Sequence, residues 1–247
     1  MPFTFAHPAI VLPFGTIWKR YFSLTALFVG SMTPDFEYFL RLKVRSEYSH
    51  TIFGVFWFDL PLGIILCFIF HLFVKKPLFQ NLPHFLQTRF KQFINFDFTS
   101  YFRYNYVVVI FSVLLGAFSH LFWDAFTHHD GFFVEQFSIL QTKSRQEVIS
   151  VFSIPIFSFP LYKFLQHFST FVGGITILFW IYKLPKNLEV VCPVSLSYWL
   201  SVVGIFVLLF SLRILFMSHL HIGNFIVSGI AFMMLSLILV GLFYKNR

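Results

Sequence analysis

The chain has 247 residues, of which 57% are hydrophobic and only 11% are charged. Soluble domains carry about 25% charged residues, so this composition argues against a water-soluble globular protein. The formal net charge of +8 does not indicate a nucleic-acid partner, because basic residues of membrane proteins commonly flank the spans on the cytoplasmic side. Cys67 and Cys192 are the only cysteines, which argues against a disulfide framework or a structural zinc module.

Apolar segments are the dominant feature along the chain, and a membrane span needs roughly 20 such residues. Segments of about that length lie at 52–74, 106–123, 194–216 and 223–243, and shorter or interrupted ones at 21–34, 148–160 and 168–182. The pattern predicts an all-α fold, a polytopic membrane helix bundle with about five to seven embedded segments. We expect one membrane domain over residues 1–247, in which 1–182 form a motif-bearing core and 183–247 a C-terminal helical hairpin.

The basic residues predict how the bundle is oriented. Five of them lie between the spans at 52–74 and 106–123, and the positive-inside rule places that loop in the cytoplasm: Lys75, Lys76, Arg89, Lys91 and Arg103. The span at 168–182 ends at Lys183, and Lys245 and Arg247 follow the last span. We therefore expect a multi-pass protein of the cytoplasmic (inner) membrane with a cytoplasmic C-terminus. The segment 21–34 is short for a full crossing and is interpreted as a re-entrant or shallow helix.

Ionisable residues near or within the spans are functional candidates, because such side chains are costly in lipid. His120, Asp124 and His128 are spaced i, i+4 and i+8, which puts them on one face of a helix. Imidazole and carboxylate groups on neighbouring turns form a good half-site for zinc or another divalent metal. The alternative is that His120 and Asp124 bond to each other and cap the polar end of a span.

Three further residues precede this motif in the chain. In the expected topology Asp35 and His50 lie at the same outer face as Asp124, although Asp35 has an alternative role as a helix N-cap after Pro34. Asp59 follows His50 by nine residues, and on an unbroken helix it would point away from His50. A hydrogen bond from Asp59 to His120 is therefore expected, the alternative being a protonated Asp59 satisfied by the backbone.

Two other histidines are less constrained by the sequence. His167 lies at the outer end of the segment at 168–182, where it either completes a site or ends a helix. The side on which His7 lies depends on the uncertain first helix.

Several short motifs together resemble an uncharacterised bacterial membrane-protein family of unknown function over roughly residues 1–180. They are Pro2-Phe3-Thr4-Phe5-Ala6-His7-Pro8, Gly30-Ser31-Met32-Thr33-Pro34-Asp35-Phe36, His50-Thr51-Ile52-Phe53-Gly54, Phe58-Asp59-Leu60-Pro61, Gly116-Ala117-Phe118-Ser119-His120, Trp123-Asp124, Phe126-Thr127-His128 and Leu165-Gln166-His167. The spaced His, Pro-Asp, His-Ser/Thr and His-x-x-x-Asp elements are more distantly similar to the membrane-bound metal-dependent hydrolase family.

That more distant resemblance implies a divalent metal ion, with zinc the expected one, held by some of His7, Asp35, His50, His120, Asp124 and His128. The sequence departs from the hydrolase pattern in two places. Thr51 stands where that family often has Ser, and Glu47-Tyr48-Ser49 stands where Arg-Gly commonly precedes the histidine.

The resulting hypothesis is a metal-dependent hydrolase that acts on an ester or phosphoester. First ligands would be His7, Asp35, His50, His120 and Asp124, with Asp59, His128 and His167 as orienting or acid–base residues. The expected partners are membrane lipids and a lipid-linked or amphipathic substrate. Two alternatives stay open: a transporter whose acids and histidines relay protons or a metal ion, and a scaffold whose polar cluster only fixes helix packing. The oligomeric state is not indicated by the sequence.

Overall fold

The computed structural model describes residues 3–141, 160–187, 192–216 and 221–244. The all-α prediction is confirmed, and the helices within these ranges follow one another with short turns between them. In chain order they are α1 (Pro8–Thr16), α2 (Leu24–Met32), α3 (Phe36–Arg41), α4 (Ile52–Asn81), α5 (His84–Ile94), α6 (Phe98–Thr127), α7 (Phe132–Gln136), α8 (Ser138–Gln141), α9 (Leu161–Lys183), α10 (Leu196–Leu215) and α11 (Ile222–Tyr244).

Five helices of the described ranges, α4, α6, α9, α10 and α11, are long and apolar enough to cross a membrane. The chain is therefore a multi-pass membrane protein. Two of them begin well before the predicted residue: α6 begins at Phe98 rather than near 106, and α9 begins at Leu161 rather than near 168. Their first turns contain Tyr, Asn, Arg and Lys. These polar residues lower the local hydropathy, so the sequence alone predicts a loop there. The interrupted segment predicted at 148–160 lies almost wholly outside the described residues.

The N-terminal part contributes short helices instead of a full span. The short helix predicted within 21–34 is observed as α2, which has nine residues and so extends only about 13 Å. Ser23 caps its start by accepting a hydrogen bond from the backbone N–H of Ala26. A single 3-10 turn at Thr33–Asp35 follows and leads into α3. This turn places Asp35 at the buried end of α2.

The core of the fold is the close contact between α2 and α6. A Cβ atom on Gly116 would lie 2.6 Å from both the backbone oxygen of Leu27 and the backbone nitrogen of Ser31. A Cβ atom on Gly30 would lie 2.3 Å from the backbone oxygen of Val113. Small residues allow such backbone-to-backbone packing in membrane helices. The two helices are therefore held in one register, which brings Ser31 beside the second half of α6.

The C-terminal helices α10 and α11 pack together around Tyr198, Val202 and Val240. This part of the chain also contacts α4, because the side chain of Asn81 accepts a hydrogen bond from the backbone N–H of Ser195 at 2.8 Å. A hairpin of two helices was predicted over 183–247, and α10 and α11 correspond to its two arms.

Replacing Gly116 by alanine should destabilise the protein, because the new methyl group has no space against α2. Overpacking of this kind costs about 1–3 kcal/mol. We expect a lower melting temperature in detergent for Gly116→Ala than for Gly204→Ala, since a Cβ at Gly204 meets nothing within 4 Å. Equal melting temperatures of the two variants would contradict the close contact between α2 and α6.

Candidate metal centre

Six ionisable side chains from four separate parts of the chain converge at one end of α6. They come from the turn before α1, the turn after α2, the loop before α4, and the end of α6 together with the residue that follows it. They are His7, Asp35, His50, His120, Asp124 and His128.

Asp124 lies at the centre of the cluster. Its Oδ2 atom is 3.1 Å from Nε2 of His120 and 3.6 Å from Nε2 of both His50 and His128. Its Oδ1 atom is 3.8 Å from Nε2 of His7. Four imidazole nitrogens thus surround one buried carboxylate. None of these four contacts has the geometry of a hydrogen bond.

Asp35 supplies the second carboxylate. Its Oδ1 atom is 3.5 Å from Nε2 of His120 and 3.5 Å from Nε2 of His50. Two triads have potential ligand atoms within 4.8 Å of one another: His7, Asp35 and His120, and His50, His120 and Asp124. Ligand atoms at about 2.0–2.1 Å from a zinc ion stand about 3.3 Å apart in a tetrahedron, so these separations fit an ion.

The atoms that face the centre are buried and have no hydrogen-bond partner. Buried polar atoms are normally hydrogen-bonded, and each exception needs a reason. Here the exceptions are concentrated in one place: both ring nitrogens of His7, Oδ1 of Asp35, Nε2 of His50, Nε2 of His120, both carboxylate oxygens of Asp124 and Nε2 of His128. The donor set is one that divalent transition metals prefer.

The opposite atoms of the same side chains are held by neighbours. Nδ1 of His120 lies 2.7 Å from the backbone oxygen of Ser31, and Oδ2 of Asp35 accepts a hydrogen bond from the hydroxyl of Thr4. Metal-ligating histidines usually bond through their other nitrogen, which fixes the ring. The contact between α2 and α6 therefore also orients His120.

His50 is oriented by the loop that precedes it. Its Nδ1 atom lies 3.1 Å from the hydroxyls of both Ser46 and Ser49, which leaves Nε2 directed at the two carboxylates. Its ring is near the entrance of the site, because 18% of the side chain is exposed. His128 is similarly placed, with 21% of its side chain exposed, whereas His7 and His120 are fully buried.

Glu37 organises this loop, and the sequence reasoning missed it. The carboxylate accepts hydrogen bonds from the backbone N–H groups of Glu47, Tyr48 and Ser49, each at 2.9 Å, and from the hydroxyl of Ser46 at 3.1 Å. Burial alone would raise the pKa of Glu37, but the hydrogen bonds outweigh it and lower the pKa to about 2. The sequence did contain one signal for Glu37, because it precedes Arg41 by four positions on α3, the spacing of an ion pair on one helix face.

Charge at the centre favours a cation. Asp35 and Asp124 are buried, and within the described ranges their ion-pair partners are histidines, not lysine or arginine. Burial, with His120 adding to it, lowers the pKa of His7 to about 3, so its ring is neutral, the form that binds metals. For His50 burial alone would lower the pKa, but Asp124 and Asp35 raise it.

Asp59 is close to the cluster but does not make the predicted hydrogen bond. The expectation of a bond to His120 is wrong, because Nδ1 of His120 contacts Ser31 and both oxygens of Asp59 are buried with no hydrogen-bond partner. The alternative of a protonated Asp59 satisfied by the backbone also lacks its backbone hydrogen bond. The helix was assumed unbroken, whereas residues Val55–Asp59 form a π-helical turn, which changes the direction of every side chain that follows.

The structure answers several other expectations from the sequence. The side chain of Asp35 makes no capping hydrogen bond at the start of α3, so the N-cap alternative does not account for it. Thr51, which stands where the hydrolase pattern often has Ser, caps α4, because its hydroxyl accepts a hydrogen bond from the backbone N–H of Gly54. His167 is exposed in the second turn of α9, not at the end of a helix, and its role in the site stays a prediction.

The fold and this cluster together define a class: a polytopic α-helical membrane protein with a buried histidine–aspartate cluster that fits a metal ion. The chain belongs to the family described as a domain of unknown function (DUF4184), whose model matches residues 1–242. We found no similar protein among curated proteins and none among solved structures.

Glu37→Gln should loosen the loop that orients His50. The new amide replaces one acceptor oxygen by a donor that faces other donors, which costs about 1–3 kcal/mol. We expect faster hydrogen exchange at the amides of residues 47–49 and a lower melting temperature. Glu135→Gln is the control, because Glu135 is an exposed acid on α7. Unchanged exchange at 47–49 would show that Glu37 does not hold the loop.

Proposed function

We propose that this protein is a metal-dependent hydrolase of the cytoplasmic membrane, with a cytoplasmic C-terminus, that cleaves an ester or phosphoester. The observation that carries the proposal is the convergence of unpartnered imidazole and carboxylate atoms on one buried point. A scaffold role accounts for it less well, since these atoms approach one another at 3.1–3.8 Å without hydrogen-bond geometry, whereas buried polar groups are normally hydrogen-bonded. The distant resemblance to metal-dependent hydrolases points to the reaction class.

The ligands in this proposal are five of the six residues with buried, centre-facing atoms: His7, Asp35, His50, His120 and Asp124. The sixth is His128, whose ring is the most exposed of the histidines in the cluster. The two triads share His120, so His120 and Asp124, 3.1 Å apart, are the residues on which the site depends most. Zinc is the ion that such a nitrogen and oxygen set favours among the abundant divalent metals. Asp35 and Asp124 would balance its charge.

The chemistry follows from the donor set and from access. A divalent ion at this point would polarise the scissile group and lower the pKa of a water molecule for attack. His128 would act as general acid or base, because its Nε2 atom faces Asp124 at 3.6 Å while part of its ring is exposed. Asp59, a buried and unpartnered carboxylate, would take part in positioning groups near the ion, and His167 keeps only its predicted acid–base role.

The first test is the metal content of the detergent-purified protein, measured by elemental mass spectrometry. We expect near-stoichiometric zinc in the wild type and loss of it in His120→Ala and in Asp124→Asn. His129→Ala is the matched control, because His129 is an exposed histidine in the same motif and should leave the metal in place. Zinc-loaded wild type, but not the two variants, should hydrolyse members of a panel of lipid esters and phosphoesters.

Two outcomes would contradict the proposal in different ways. Absence of any bound metal after reconstitution with zinc, manganese or iron would remove the metal centre and with it the hydrolase. Bound metal without hydrolysis, together with metal flux into proteoliposomes, would favour the transporter.

Thermal stability separates a metal site from a packing role. Zinc should raise the melting temperature of the wild type, because a ligand at 100 times its Kd stabilises the folded state by about 2.7 kcal/mol. Asp124→Asn should lose most of this increment, whereas His129→Ala should keep it. If Asp124→Asn lowers the melting temperature equally with zinc and with a chelator, the cluster stabilises packing only.

A further inference from the structure

A groove of about 510 Å³ lies between α1, α6 and α9, on a face of α6 next to the one that carries His120 and Asp124. Its volume is within the range of small-molecule sites, about 300–1,000 Å³. Side chains of Ile10, Phe122, Phe126, Leu165, Phe168 and Val172 form most of its walls.

The hydroxyl groups that line the groove already donate hydrogen bonds to backbone oxygens. Thr127 donates to the backbone oxygen of Trp123, and Thr176 donates to that of Val172. The hydroxyl of Ser169 donates to the backbone oxygen of Gln166. The lining is therefore mostly apolar, which favours an apolar occupant.

The groove is lined by neighbours of the metal-centre residues. Trp123 lines it and also contacts the ring of His7, with ring centroids 5.7 Å apart. Ile10 follows His7 on α1, and Gly173 of α9 packs on Ala6, next to His7. Residues that line the groove thus alternate with cluster residues along the last two turns of α6, and on the N-terminal side Ile10 follows His7 by three positions.

One end of the groove is next to the end of α6 that carries the cluster. The ring of His129 lies 6.1 Å from that of Tyr162, so the start of α9 is beside the end of α6. Thr127 lines the groove, and His128, whose ring is partly exposed, is the next residue. The groove runs from this end towards Thr176, over 11 residues of α9 or about 16 Å.

We infer that the groove holds the hydrocarbon chain of a membrane lipid that is the substrate, with its ester or phosphoester headgroup against His128 and His50. The inference rests on the proposed function, because the headgroup is a substrate only if the cluster is catalytic. Surrounding lipid tails are as apolar as the groove. The groove therefore adds no hydrophobic affinity, but it determines where the hydrocarbon chain of the substrate lies.

The test is photolabelling in proteoliposomes of phosphatidylethanolamine and phosphatidylglycerol that contain a trace of phosphatidylglycerol with a diazirine on one acyl chain. Labelled peptides are then mapped by mass spectrometry. A diazirine near the ester should label residues around Leu165 and Phe126, and a terminal diazirine residues around Val172. Labelling there should exceed that of Val207, an exposed residue on α10, several-fold.

Two variants make the result specific. Val172→Trp should fill the groove and abolish the excess label, while Val207→Trp should leave it unchanged. His120→Ala should lose the metal but keep the label, so that the groove and the metal centre are tested separately. Even labelling of α9 and α10, or no effect of Val172→Trp, would show ordinary surrounding lipid and overturn the inference even if zinc is bound.

Discussion

Two buried carboxylates, which have no lysine or arginine partner among the residues that the structure describes, are the constraint on which the rest of the structure depends. Asp35 and Asp124 face four imidazoles within a membrane protein, where an uncompensated charge is far more costly than in water. Packing alone gives no reason to keep such groups, since apolar residues of similar volume are often at least as stable. A bound cation would offset the burial of both charges at once.

The close contact between α2 and α6 keeps this arrangement in register. Gly30 and Gly116 allow the two backbones to touch, and the touching segment carries Ser31, whose backbone oxygen holds Nδ1 of His120. The helix contact and the orientation of a ligand are therefore one feature. A shift of α2 along α6 would turn the His120 ring away from Asp124, so the packing of small residues determines the geometry of the site.

Composition and periodicity were enough to predict the helical membrane fold and the face that carries His120, Asp124 and His128, because helical spacing fixes which residues are neighbours within one helix. Contacts between helices were less accessible. The direction of Asp59 depends on a π-helical turn at Val55–Asp59 that has no clear sequence signal. Glu37 was missed because its partners are mainly backbone N–H groups of a loop, and loop conformation is not encoded by residue spacing.

The origin of the ligands links the site to the folding of the N-terminal part. His7, Asp35 and His50 all come from residues 1–50, whose helices α1, α2 and α3 have at most nine residues each and are too short to cross a bilayer alone. His120 and Asp124 come from a long helix that satisfies its own backbone in lipid. Because metal binding to ligands from separate segments is coupled to folding, an ion at this point would fasten the short N-terminal helices to α6. The same ion would then serve both the chemistry and the assembly of this half of the protein.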